Sequence, residues 1–163
     1  MIVVADTSPL NYLLQIGCES VLPALYKRIV LPSAVLAELS HPDTPSVISS
    51  WLSHLPAWIE VRRTSSPPDA SLASLDPGER EAIQLAQEQH AELLLIDERR
   101  GRMEAQRRGL ATTGTLGVLL AAGQRGLINA EATYQQLLTT TNFRSTPELE
   151  SRFLRRMRGS DKR

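Results

Sequence analysis

Two short apolar runs, residues 2–5 and 93–96, each close on an aspartate, Asp6 and Asp97. Apolar runs this short, with no polar alternation, have the pattern of strands buried on both faces of a parallel sheet. Parallel neighbours need a crossover, usually a helix, and helix signals fill the intervals. Thr7 or Ser8 can cap a helix that Pro9 begins and Gly17 ends. Residues 19–26 form a second helix with Val21, Leu22 and Leu25 on one face, and residues 28–31 a second strand. Pro32 and Ser33 open a helix that turns Val35, Leu36 and Leu39 inward and carries Glu38 near its end. Residues 46–54 are helical, residues 58–62 alternate like an outer strand, and residues 64–74 are a Ser- and Pro-rich loop.

Asp76-Pro77-Gly78-Glu79 is a strong helix start, with Asp76 as cap and Pro77 in first position. After Asp97 comes an arginine-rich helix ended by Gly109, a short strand at 110–112, and a helix over 116–125 entered through Thr113-Gly114-Thr115. Two more helices span 130–141 and 147–158, the second with Leu149, Phe153, Leu154 and Met157 on one side. It can pack on the domain, form a dimer contact or bind a protein partner. This alternation predicts an α/β chain with a central, mostly parallel sheet of four or five strands covered by helices on both faces. Residues 1–128 form the main domain. Residues 129–163 form a helical extension with a basic tail that ends in Lys162 and Arg163.

Bulk properties narrow the function classes. The 163 residues suit one compact domain, and with 4% aromatics its core must come from Leu, Ile, Val and Ala. Acids and bases balance at 18 each, so net charge alone does not indicate a general nucleic-acid binder. Lone Cys18 excludes an internal disulfide and a cysteine-based zinc site. The amino-terminal apolar run is too short and lacks the basic region of a signal peptide, and no run is long enough to span a membrane, so the expectation is a cytoplasmic protein. His41, His54 and His90 lack metal-ligand spacing, and neither a phosphate-binding glycine loop nor a nucleophile elbow is present.

In a parallel sheet, Asp6 and Asp97 lie at the same edge, the edge where open α/β sheets bind ligands. Glu38 and Glu79 sit on helices that can face it. Converging carboxylates raise one another's pKa values unless a cation intervenes. All-oxygen ligands suit Mg²⁺ or Mn²⁺, and a hydrated ion held by acids is equipped for phosphodiester hydrolysis. Each acid also has a plainer reading: Asp6 and Asp97 as helix caps, Glu38 as a solvated surface acid, and Glu79 or Glu81 as first-turn acids favoured by the helix dipole. Arg99, Arg100, Arg102, Arg107 and Arg108 follow Asp97 closely. They are either phosphate contacts or a solvated helix face.

Val-Val-Ala-Asp6-Thr-Ser, Leu31-Pro-Ser-Ala-Val-Leu-Ala-Glu38, Gly78-Glu79-Arg-Glu81-Ala-Ile and Leu93-Leu-Leu-Ile-Asp97-Glu-Arg-Arg-Gly follow one another in an order that resembles the PIN-domain family, the ribonuclease fold of VapC-type toxins. Thr113-Gly-Thr-Leu-Gly-Val-Leu-Leu resembles a subgroup of predicted nucleic-acid-binding PIN proteins. The resemblance implies a three-layer α/β/α fold over residues 1–128 and a ribonuclease using Mg²⁺ or Mn²⁺. Asp6, Glu38, Glu79 and Asp97 would be its metal-binding catalytic acids, with Glu81 as the competitor for Glu79. Thr7, Ser8, Arg99, Arg100, Thr113 and Thr115 would contact RNA. It further implies a homodimer and, in a toxin setting, an antitoxin protein as partner. The third family acid is usually Asp, and after Asp97, where VapC-type toxins often show another acid followed by Phe, this chain reads Glu98-Arg99-Arg100-Gly101. A non-cleaving RNA- or protein-binding PIN module is therefore the alternative. Phosphoryl transfer through an aspartyl intermediate is disfavoured because Ser8 stands where a second aspartate is expected.

Overall fold

The computed structural model describes residues 1–160, so Lys162 and Arg163 of the expected basic tail lie outside the described residues. Five strands, β1 (Val3–Ala5), β2 (Ile29–Pro32), β3 (Ile59–Arg62), β4 (Leu93–Leu95) and β5 (Thr112–Thr113), form one sheet in the order β3-β2-β1-β4-β5. Every pairing is parallel, with Val4 opposite Val30 on one side and Leu94 on the other. The helices are α1 (Thr7–Gln15), α2 (Val21–Tyr26), α3 (Ser33–Leu39), α4 (Ser46–Ser53), α5 (Pro77–Glu88), α6 (Arg99–Arg107), α7 (Thr115–Gln124), α8 (Ala130–Thr140) and α9 (Pro147–Ser160).

The side-chain period of two divides the core between the two faces of the sheet. Val3, Ala5, Ile29, Leu31 and Leu95 point to one face, where α1, α3, α7, α8 and α9 pack. Val4, Val30, Leu94 and Ile96 point to the other, which α5 and α6 cover through Ile83, Leu85, Ala86 and Ala105. Central strands that are buried on both sides cannot alternate in polarity, and this produces the unbroken apolar runs. The result is the expected three-layer α/β/α arrangement. Edge strand β3 alternates in sequence but not in burial: Ile59, Glu60 and Arg62 are half-buried and Val61 is exposed.

The chain starts in the centre of the sheet, builds outward through β2 and β3, then crosses to the far side of β1 as β4. After β1 it leaves into α1 on one face, and after β4 into α6 on the other. Order therefore reverses between β1 and β4, and a crevice opens at their carboxyl ends. Asp6 and Asp97 flank it, and the Asp6 N–H donates to Leu95 O at 2.9 Å.

Helix α9 takes the first of its three expected roles. Phe153 and Met157 are buried in the main core, and the Phe153 ring lies 5.0 Å from that of Tyr134 on α8. Phe143, in the connection before α9, meets Tyr12 edge-on at 5.2 Å. Trp51 and Trp58 lie against each other at 6.1 Å, as packing residues. The last strand sits at 112–113 rather than 110–112, because Ala111 and Thr113 supply the carbonyls that Leu94 and Ile96 need.

Candidate active site

Asp6 occupies the cap position of α1, one residue earlier than the caps expected at Thr7 or Ser8. Its side chain accepts no cap hydrogen bond. It is 4% exposed, and its Oδ1 is buried without a hydrogen-bond partner. Burial pushes the Asp6 pKa up to about 7, opposed by the Thr7 backbone N–H and reinforced by the charges of Glu38, Asp97 and Asp76. An acid buried for structural reasons normally finds donors for both oxygens. Here one oxygen has none, so capping does not account for Asp6.

The other acids are held in place around it. Glu38, on α3, accepts from Thr7 Oγ1 and, at 2.8 Å, from the Gly78 N–H at the start of α5. A Cβ on Gly78 would stand 2.5 Å from a Glu38 oxygen, so a side chain there would push the Glu38 carboxylate out of this position. Asp97 accepts from the Thr115 N–H at 2.6 Å and the Thr115 hydroxyl at 2.7 Å, and so caps α7. A Cβ on Gly114 would stand 2.6 Å from Asp97 Oδ1. Burial raises the Asp97 pKa against these Thr115 bonds and the charge of Arg102. Asp97 is thus both a helix cap and an acid at the crevice.

Glu79 and Glu81, two residues apart on α5, diverge. Glu81 accepts from Ser33 Oγ at 2.7 Å and from the Ala34 N–H at 3.3 Å, which satisfies the first turn of α3. Glu79 is 7% exposed and turns to the crevice. Burial, then the charges of Asp6, Asp76 and Glu98 and a hydrogen bond with Asp76, push its pKa up to about 8. Asp76 holds the cap position of α5, as expected, but makes no side-chain cap bond. Its carboxylate belongs to the acid cluster instead. No sequence signal separates a capping Asp from one turned toward Glu79, so Asp76 is the acid that sequence reading missed.

The arginines part company as well. Arg107 and Arg108 pair with Glu104 at 2.5 and 2.9 Å, and Arg108 also reaches Asp69 at 2.9 Å and Ser71 at 2.6 Å. Arg107 thus stays within α6, and Arg108 braces α6 against the loop before α5. Arg100 borders a hollow with Ser74, Leu75 and Met103, and Arg99 is exposed at the start of α6. Arg102, Thr113 and Asp97 line a separate groove. Ser8 is half-buried in the first turn of α1.

Among the described residues, no group of three or more His, Cys, Asp or Glu side chains is arranged to share one metal ion. The four expected acids border one crevice, but three of them are engaged with different partners, Glu38 with Thr7 and Gly78, Asp97 with Thr115 and Glu79 with Asp76, and only Asp6 keeps an oxygen unpartnered. A Mg²⁺-like ion needs only one or two direct carboxylates and keeps its waters. The unpartnered Asp6 oxygen and the raised pKa values of Asp6 and Glu79 are what a site lacking positive charge displays. The residues fit a hydrated divalent cation.

A family model described as a PIN domain, DUF3368, matches residues 2–159. The chain belongs to the PIN domain family, whose members are generally nucleases and usually use divalent metal ions. Among solved structures, the chain is similar to a PilT N-terminus domain protein from the hyperthermophilic archaeon Sulfolobus solfataricus P2. The two are 19% identical, with a TM-score of 0.51 over 89% of this chain and all of that one, a likeness of fold. No curated protein matches. Among the described residues, no helix is long and apolar enough to cross a membrane.

Proposed function

We propose that this chain is a metal-dependent ribonuclease that hydrolyses RNA phosphodiester bonds at the crevice between β1 and β4. The observation that carries the reading is buried Asp6, with one oxygen unpartnered and acids on several sides. Such a site disfavours its own charge until a cation enters, and metal-dependent phosphodiester hydrolysis places a cation among acids of this kind. Asp6 would hold a Mg²⁺ or Mn²⁺ ion, with Asp97 directly or through water, and Glu38 and Glu79 through water. The ion would supply an activated water and offset charge on the phosphate oxygens.

The protein's own share is positioning. Thr115 fixes Asp97 with two hydrogen bonds, and Thr7 and Gly78 fix Glu38. In hydrolysis, the water oxygen bonds to phosphorus and gives up a proton, the bond to the leaving ribose oxygen breaks, and that oxygen takes up a proton, so one water is consumed in all. Burial, the surrounding acids and the hydrogen bond with Asp76 make Glu79 hold its proton to higher pH than an ordinary glutamate in the metal-free protein.

Family resemblance supports extending the reading to a cytoplasmic homodimer, and to the toxin of a toxin–antitoxin pair with an antitoxin protein as partner. The second reading is a non-cleaving RNA- or protein-binding module. It is favoured by the absence, among the described residues, of three acids within reach of one ion.

Cleavage of single-stranded RNA in Mn²⁺, Mg²⁺ or EDTA separates the two. The ribonuclease reading expects metal-dependent cleavage that Asp6→Asn or Asp97→Asn lowers by about 100-fold or more, the scale of losing a principal electrostatic group. RNA binding without turnover in any metal would establish the binding module.

A further inference from the structure

A groove of about 270 Å³ opens beside Asp97, between the start of α7, helix α6 and helix α9. Its floor is apolar, with Leu116 and Phe143, and four guanidinium side chains line it: Arg102, Arg144, Arg152 and Arg156. They come from three parts of the chain that only the fold brings together: α6, the connection before α9, and α9 itself. Arg152 and Arg156 are four apart on α9 and so share a face. Among the described residues, no salt bridge joins Arg102, Arg144 or Arg152 to an acid. Arg144 donates to the Phe143 carbonyl at 3.0 Å, and Arg102 acts on Asp97 through its charge alone.

We infer that this groove is a subsite for single-stranded RNA, holding the nucleotides that flank the bond to be cut. The inference rests on the ribonuclease reading of the adjoining crevice. Charge complementarity and continuity carry it. In a chain of zero net charge, four arginines line one groove, and Asp97 lies both on its wall and at the acid crevice. A polyanion with one phosphate at the crevice presents the next ones to the groove. The apolar floor between the guanidinium groups suits a base face, which stacks without regard to sequence. Helix α9 thus has two sides with different work: Phe153 and Met157 anchor it, and Arg152 reaches the ligand.

The test is binding of a fluorescent oligoribonucleotide in EDTA, where cleavage is silent, over a range of salt concentrations. Arg144→Ala/Arg152→Ala should weaken binding about tenfold or more. It should also flatten the dependence of log K on log salt by about 1.4, the value for two lost single-strand phosphate contacts. Arg152→Lys should keep the slope. Both arginines are exposed, so the folded state should tolerate their loss. Lys27→Ala/Arg28→Ala removes equal charge at the amino end of β2, the opposite sheet edge, and should leave binding unchanged.

Unchanged affinity and slope in the groove variant, or an equal loss in the Lys27/Arg28 control, would overturn the inference. So would poly-glutamate binding the parent as tightly as RNA, since that marks a surface for acidic protein segments. If Asp6-dependent cleavage persists while the groove variant binds normally, the groove reading alone falls. If cleavage ignores Asp6→Asn while the groove variant loses RNA, the groove reading stands and the assignment of the acid site falls.

Discussion

Asp6 is a residue whose charge works against the fold that holds it. Its pKa rises from the ordinary 3.8 to about 7 on folding. Below pH 3.8 it is protonated in both states and costs nothing. Between the two values the unfolded chain ionises it more readily than the folded one, so stability falls as pH rises and levels off above pH 7. The full penalty approaches about 4 kcal/mol, from about 1.4 kcal/mol per pKa unit. Asn at this position cannot ionise. Thermal unfolding of metal-free protein should therefore show Asp6→Asn gaining on the parent from pH 4 to pH 7, then holding a constant advantage. A constant difference at all pH values would mean that Asp6 is not a buried, poorly compensated acid. The same residue shows what a sequence can disclose. An acid closing a buried strand is visible in the apolar run before it. The orphaned oxygen is not, because it depends on which donors the neighbouring elements bring.

At the level of elements, the acids are set by helix starts. Pro32 precedes α3 and makes no side-chain cap, so the first turn of α3 takes its acceptor from Glu81 on α5. Glu81→Ala removes that acceptor and should cost about 1 kcal/mol, the usual value of a lost cap. Denaturant unfolding would read this, and metal affinity should stay within a few-fold of the parent. A loss of metal binding as complete as that of Asp6→Asn would instead place Glu81 in the ion's shell. Sequence spacing left Glu79 and Glu81 both open, since both lie in the opening turns of one helix. The packing of α5 against α3 separates them, and that packing is tertiary. The arginine cluster after Asp97 divides for the same reason. Asp69, the partner of Arg108, lies 39 residues away and no local pattern announces it.

For the whole molecule, the boundaries of most elements were legible, because buried strands and amphipathic helices have different periods and Gly, Pro and Asp punctuate them. What the local pattern could not reveal is how far the last two helices belong to the main core. The family match runs through residue 159, and Phe143, Phe153 and Met157 share a hydrophobic cluster with β1 and α1. Phe153→Ala should therefore destabilise the whole domain by about 3–5 kcal/mol, in a single cooperative transition. A separate early transition confined to the C-terminal helices would indicate an independent extension. The charge layout has the same global character: zero net charge, yet acids gathered at one crevice and arginines along the groove beside it. All of this turns on the acid crevice holding a divalent cation, as proposed above. Calorimetric titration of the folded, metal-free chain with Mn²⁺ at pH 7.5 tests it most directly. The parent should bind saturably, and Asp6→Asn should abolish that binding while remaining folded. Absence of binding by the parent, or equal binding by Asp6→Asn, would contradict it.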